Sequence, residues 1–178
     1  MAYITADMLK TFSDKFPNDD TLLAGYCEAA EQIVARYLGY SPELREYDTT
    51  ELGIGAKCLA LEAMPIVEVF SVAADGAEIE VEKIRVVKNR NYIAFTNNAR
   101  FFDGVTYRVT YAAGYETVPA QIVTAALQIA SLLWESAGGN LAVTSTSFAD
   151  IGSRTFQSFK PDRFLDQIAS YKKVDTSY

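Results

Sequence analysis

The 178-residue sequence contains no histidine, which removes the commonest general base and the commonest transition-metal ligand. Ser-His-Asp and Cys-His nucleophile systems are therefore excluded within the chain. No Gly-Lys-Ser/Thr occurs, so there is no Walker-type phosphate loop. Gly53-Ile54-Gly55-Ala56 has two glycines of a dinucleotide loop but lacks the third, and no clear strand pattern precedes it. It reads as a flexible connection. The only cysteines, Cys27 and Cys58, lie in apolar patterns with no neighbouring Cys or His. They predict two buried, reduced thiols and no structural zinc. No apolar run approaches the ~20 residues of a membrane span; the run Ile122 to Trp134 is interrupted by Thr124, Gln128 and Ser131. The N-terminus, Met-Ala-Tyr-Ile-Thr-Ala-Asp, lacks the basic and apolar regions of a signal peptide. The expectation is a chain made and kept in a cytosol, without a membrane partner.

What is present suits a globular protein. Hydrophobic residues make up 49% and charged residues 22%, and a chain of this size buries ~70% of its extended surface without needing a disulfide or metal. Charge is unevenly placed. Residues 1–56 carry ten acidic and four basic side chains, so a net −6 of the total −7 lies in the N-terminal third. A surface of that sign repels phosphate backbones and argues against sequence-specific DNA binding.

Along the chain, Thr5 is placed to cap a short helix from Ala6 to Phe16, broken by Pro17-Asn18. Asp19 or Asp20 caps a second helix reaching about Leu38, with Leu22, Tyr26, Ala29, Ile33 and Tyr37 as one apolar row. Leu23, Cys27, Ala30 and Val34 form a second row beside it, and Gly39 ends the helix. Residues 43–56 read as polar and irregular. Strand patterns follow at Cys58 to Leu61, Pro65 to Val72, Ile79 to Val87, Tyr92 to Thr96 and Val105 to Tyr111, with Asp75-Gly76 as a hairpin signal and Lys88 to Asn91 as a turn. Pro119 opens a long helix to about Ser136, stopped by Gly138-Gly139. A hairpin-like segment over 141–157, with a turn at Asp150 to Gly152, precedes a last helix from Pro161 that carries Phe164, Ile168 and Tyr171 on one face.

The predicted fold is α+β: a mainly α-helical core of about four helices, residues 1–56 and 112–178, with a small antiparallel β subdomain, 57–111, inserted into it. Carboxylate pairs suggest structure before chemistry. Asp19-Asp20 suits a helix N-terminus, and Glu28 with Glu31 suits a solvated helix face. Glu78, Glu80 and Glu82 would alternate along an exposed strand. Tyr107, Tyr111 and Tyr115 have too little positive charge around them for a nucleic-acid stacking platform.

The long helix is apolar round most of its circumference. One row is Ile122, Ala126, Ile129 and Leu133, a second is Val123, Leu127, Ala130 and Trp134, and only Gln121, Thr124, Gln128, Ser131 and Glu135 are polar. Such a helix is surrounded by protein, and self-association is one way to supply part of that cover.

Taken in order, these segments resemble the head–tail connector (adaptor, or head-completion) proteins of tailed double-stranded DNA phages and prophages. The likeness rests on Tyr3-Ile4-Thr5 with the Ala29-Ala30-Glu31-Gln32-Ile33 run and its Tyr37-Leu38-Gly39-Tyr40 ending. It continues through Pro65-Ile66-Val67-Glu68-Val69 to Asp75-Gly76, and Val109-Thr110-Tyr111-Ala112-Ala113-Gly114-Tyr115 before Val118-Pro119. It ends with Glu135-Ser136, Val143-Thr144-Ser145-Thr146-Ser147 and a last helix ending Tyr171-Lys172-Lys173.

The resemblance implies a non-enzymatic structural subunit located in the virion neck and made in the bacterial host cytoplasm. It implies self-assembly into a ring of about twelve copies below the portal protein, extending a channel through which double-stranded DNA passes non-specifically and docking a stopper or tail-completion protein. It carries no catalytic residue, cofactor or metal. Ile122, Leu127, Trp134, Thr144, Ser145, Thr146, Ser147, Phe148, Arg154, Phe164 and Tyr171 are the expected partner-interface residues, and part of 1–56 is expected to approach the channel. The alternatives are another virion neck or tail protein that uses its β subdomain for interaction, or, from a different class, a small-ligand-binding protein or enzyme.

Overall fold

A computed structural model describes residues 2–87, 90–137, 145–148, 152–155 and 160–173, with backbone alone for 145–148 and 152–155. The fold is α+β, as its alternation of helical and period-two segments implies. The chain forms two compact units, one from Met1–Tyr37 with Pro119–Lys172 and the other from Leu38–Val118 with Lys173–Tyr178.

The first unit is helical. Thr5 caps α1 (Ala6–Phe12), its hydroxyl accepting the Met8 N–H. The helix stops four residues earlier than its apolar pattern allows, because Ser13 is extended. That places the Phe16 ring 6.1 Å from Trp134. α2 (Asp20–Leu38) begins beside Asp19, whose carboxylate accepts the Leu22 N–H. Its buried row is Leu23, Cys27, Ala30, Val34 and Leu38, while Leu22 is exposed. Of the two apolar rows, the one with Leu22 and the tyrosines is thus the less buried. Its tyrosines explain why: Tyr26 sets its edge on Trp134 at 5.6 Å, and Tyr37 receives the Lys172 ammonium over its ring at 5.0 Å. Rings with polar tips belong at a boundary.

α3 (Ala120–Ala137) starts one residue after Pro119, whose carbonyl accepts the Ile122 and Val123 N–H groups. Ile122, Ala125, Ala126, Ile129 and Ala130 have no exposure. The final segment is α4 (Asp162–Leu165) continued by a 3-10 turn over Asp166–Tyr171, so the expected helix is α-helical only at its start. Phe164, Leu165 and Ile168 are buried. β8 (Ser145–Phe148) and β9 (Gly152–Thr155) pair as an antiparallel hairpin. The expected helix stop at Gly138-Gly139 lies outside the described residues, as do Asp150 and Ile151 of one expected turn and Lys88 and Asn89 of another.

The second unit holds two antiparallel sheets. One has the order β1-β7-β3-β4, from Arg45–Leu52, Thr106–Ala113, Ile66–Ala74 and Ala77–Ile79. The other has the order β2-β6-β5, from Cys58–Ala60, Tyr92–Phe95 and Ile84–Val86. β1 corrects the reading of 43–56 as irregular: its Tyr47, Thr49 and Glu51 are half-buried and alternate with exposed Glu46, Asp48 and Thr50. A polar edge strand carries this alternation without a hydrophobic signal. The run Ile79 to Val87 is broken by a 3-10 turn at Val81–Lys83. Asp75 and Gly76 both have positive φ and close the β3–β4 hairpin as expected of Asp-Gly.

β3 departs from period two. Ile66, Val69 and Val72 are buried, with two exposed residues between each pair. Register shifts between Ile66 and Glu68 and between Val69 and Ser71 account for this. Each is a β-bulge that adds one residue and turns a consecutive pair outward. Between the sheets, Phe101 joins Phe95 at 4.6 Å to Tyr107 at 5.0 Å.

Candidate interaction surfaces

The carboxylates that the sequence offers as acid–base candidates have structural partners or lie apart. Glu31 accepts the Ile4 N–H at 2.9 Å and pins the N-terminal segment to α2. Asp20 pairs with Lys10. Glu78, Glu80 and Glu82 do not share a strand face: only Glu78 is in β4, Glu80 precedes the 3-10 turn and pairs with Lys83 at 3.0 Å, and Glu82 is within it. Among the described residues, no group of three or more His, Cys, Asp or Glu could hold a metal ion. No helix among them is long and apolar enough to cross a membrane. Cys27 is buried, but Cys58 is exposed, which corrects the expectation of two buried thiols. As the first residue of β2 it has its side chain on the outer face, opposite buried Leu59.

The expected interface residues among the described ones fall into three groups. Ile122, Leu127 and Phe164 are buried within the helical unit, and the Arg163 guanidinium lies 4.4 Å over the Phe164 ring. Trp134 and Tyr171 are half-buried at the margin of that unit. Ser145, Thr146, Ser147 and Phe148 form β8, opposite Thr155, Arg154, Ser153 and Gly152. Thr144 lies outside the described residues.

The exposed large apolar residues lie elsewhere. In the helical unit, Met8 and Phe12 line an open groove of about 490 Å³ together with Asp7, Thr11 and Leu127. Met8 and Phe12 lie one turn apart on the same face of α1, beside buried Leu9, so the short helix turns one apolar residue inward and leaves two exposed. In the strand unit, the two bulges of β3 display Val67 and Phe70 beside Glu68 and Ser71. The same face carries Glu46 and Asp48 from β1, with Asp48 held by the Arg108 guanidinium of β7, Nε to Oδ1 at 2.9 Å. This hydrogen bond and the attraction between the two opposite charges lower the Asp48 pKa and raise that of Arg108.

A third cluster lies where β1 ends and β7 begins. Leu52, Ile54 and Phe102 are 59%, 65% and 71% exposed. The loop Gly53–Ala56, expected to be a flexible connection, is held by hydrogen bonds. Gly53 N donates to Val105 O at 2.8 Å, Gly104 N to Gly53 O at 3.0 Å and Phe101 N to Ala56 O at 2.8 Å. A Cβ at Gly53 would overlap the Phe102 carbonyl and stand 2.9 Å from the Tyr107 ring. Glycine is required for this close approach. The sequence signals it as a paired-glycine loop, but nothing in the loop names the distant segment that it meets.

A family model described as "Head completion protein" matches residues 3–135, which span most of both units. No curated protein matches the chain. Among solved structures, the chain is similar to one in the neck of an empty GTA particle computed with C6 symmetry, with a TM-score of 0.64 and 14% identity over 98% of this chain and 91% of that one. A chain in the neck of a native GTA particle computed with C12 symmetry gives a TM-score of 0.60 and 14% identity, over 88% of this chain and 85% of that one. A chain in the virion of a native gene transfer agent (GTA) particle gives 0.61 and 12%, over 90% and 81%. At these identities, the likeness to solved structures concerns the fold.

Proposed function

The chain belongs to the head completion protein family, and from that membership we propose that it is a ring-forming subunit of the phage-type head–tail neck, seated between the portal and the stopper or tail. Its work is structural and its place is the virion. The observation that carries this reading is the family match across residues 3–135, supported by a fold shared with neck chains over nearly the whole length. The ring is supported by the cyclic symmetry of the neck assemblies in which those chains occur. Copies around a common axis would leave a central channel for the duplex. Asp14 and Glu28 of the acidic N-terminal third are exposed, and acidic side chains facing the channel let DNA pass without adhering. The test is light scattering and electron microscopy of the purified full chain, alone and with its cognate portal. Cyclic multimers, free or on the portal, are expected. A chain that stays single at high concentration and does not bind the portal would overturn the reading.

A further inference from the structure

A closed ring of more than two identical subunits needs two different surfaces that fit each other, because a surface that matches itself gives only a two-fold pair. Among the described residues, two apolar features of opposite shape are left uncovered, one in each compact unit. The convex one is the tip formed by Leu52, Ile54 and Phe102, held by the hydrogen bonds around Gly53. Arg100 donates from Nη1 to the Gly55 carbonyl at 3.3 Å, which brings its guanidinium to this tip, where Lys57 and Asp103 are also exposed. The concave one is the groove floored by Leu127 and walled by Met8 and Phe12. Asp7 lines it, and the nearest cation along α1, Lys10, is occupied by Asp20.

We propose that the Leu52–Ile54–Phe102 tip of one copy seats in the Met8–Phe12–Leu127 groove of the next, with Arg100 facing Asp7. The proposal rests on the ring reading above and specifies its subunit contact. Shape and polarity match, since an apolar projection meets an apolar depression. Charge matches at the margin, with the tip guanidinium meeting the groove carboxylate. The tip is already ordered by its own backbone bonds, so docking it costs little conformational entropy. An apolar patch of a few hundred Å² is enough to mark a contact and too little to hold two copies together alone. Single contacts are therefore weak, and closure or a template makes them cooperative.

The test introduces thiols on both sides. In a Cys58→Ser full-length background, Thr11→Cys and Ile54→Cys are made together, and the protein is mildly oxidised at high concentration or bound to its portal. A ladder of disulfide-linked multimers is expected on a non-reducing gel. Mixing the two single variants should give dimers only. Arg100→Asp or Asp7→Arg in the double-thiol protein should each lower the linked fraction roughly two- to fivefold, and the combined reversal should restore it. That rescue separates a contact from a folding defect. Multimers by light scattering without a ladder would overturn the tip-in-groove contact and leave the ring standing. Equally efficient linking in the Ile54→Cys single variant would show tip-to-tip pairing and overturn it as well. A chain that never multimerises, even with its portal, would overturn both.

Discussion

The Tyr111 hydroxyl accepts the backbone N–H of Ala63 at 3.1 Å, with both residues buried. This one bond joins β7 of the four-stranded sheet to the segment following β2 of the three-stranded sheet. Tyr111→Phe keeps the ring and its 5.4 Å stack on Tyr47 but leaves a buried donor without its acceptor. The expected cost is about 1–3 kcal/mol, read as a lower urea midpoint at unchanged slope. An unchanged midpoint would mean that Ala63 finds another acceptor.

Two glycines with positive φ should respond very differently to a methyl group. Gly76 in the β3–β4 turn has φ +84° and nothing within 4 Å of a built Cβ. Gly76→Ala should therefore cost only the left-handed backbone penalty, about 1–2 kcal/mol. A Cβ built on Gly114, which has φ +113°, would overlap the Glu43 carbonyl and stand 2.8 Å from Leu44 N. Gly114→Ala meets strain and overlap together and should cost about 3 kcal/mol or more, or prevent folding. Thermal melts of the two variants side by side check the difference; equal losses would refute it.

Two carboxylates on β1 should move stability in opposite directions with pH. Burial raises the Glu51 pKa, with Lys173 opposing and Glu62 adding to the rise. A raised value contributes stability below the ordinary carboxyl pKa of 4.5 that is lost as pH rises through the folded value. Glu51→Gln should then raise the melting temperature slightly at pH 7 and have no such effect near pH 4. Asp48 is lowered below 3.8, chiefly by its hydrogen bond from Arg108. Its contribution is present above that pH and is lost as pH falls through the folded value, so Asp48→Asn should destabilise at pH 7 and cease to do so in strong acid. Melting curves across pH 2–8 test both signs.

The two thiols offer a probe of folding. Cys58 is exposed and Cys27 is 2% exposed on the buried row of α2. A thiol reagent should modify one cysteine rapidly in the native protein. The second should react at the rate at which α2 opens, accelerated by urea in step with global unfolding. Two fast thiols would contradict the packing of Cys27.

Much of this architecture is legible locally in the sequence. Thr5, Pro119 and Asp75-Gly76 mark their element boundaries through near-neighbour backbone chemistry, and the structure places them as the pattern implies. What is not legible depends on distant partners. β1 is a strand because β7 pairs along its full length from Arg45↔Ala113 to Leu52↔Thr106, a fact that its polar residues do not announce. β3 shows period three because of bulges against the same partner. Among the surface features, the Met8–Phe12 groove is hidden in the sequence because Met8, Leu9 and Phe12 look like one inward-facing side of α1. Ile122, apolar enough to suggest an interface, is buried inside its own unit. Hydrophobicity marks what must be covered and does not say whether the covering comes from the same chain.

The clasp around Gly114 has a consequence for how the whole chain is organised. Leu44 N donates to Tyr115 O, Tyr115 N to Pro42 O, and Gly114 N to Pro65 O. The strand unit thus fastens the segment where the chain enters it to the segment where the chain leaves. For the helical unit, whose sequence is interrupted between Tyr37 and Pro119, the intervening polypeptide behaves as a short tether whose ends are already held together. The closure entropy of a long loop, which grows with its length, is met inside the strand unit. Lengthening or shortening β-hairpins far from the clasp should therefore leave the helical unit's stability nearly unchanged, giving the strand unit freedom to change while the helices stay fixed.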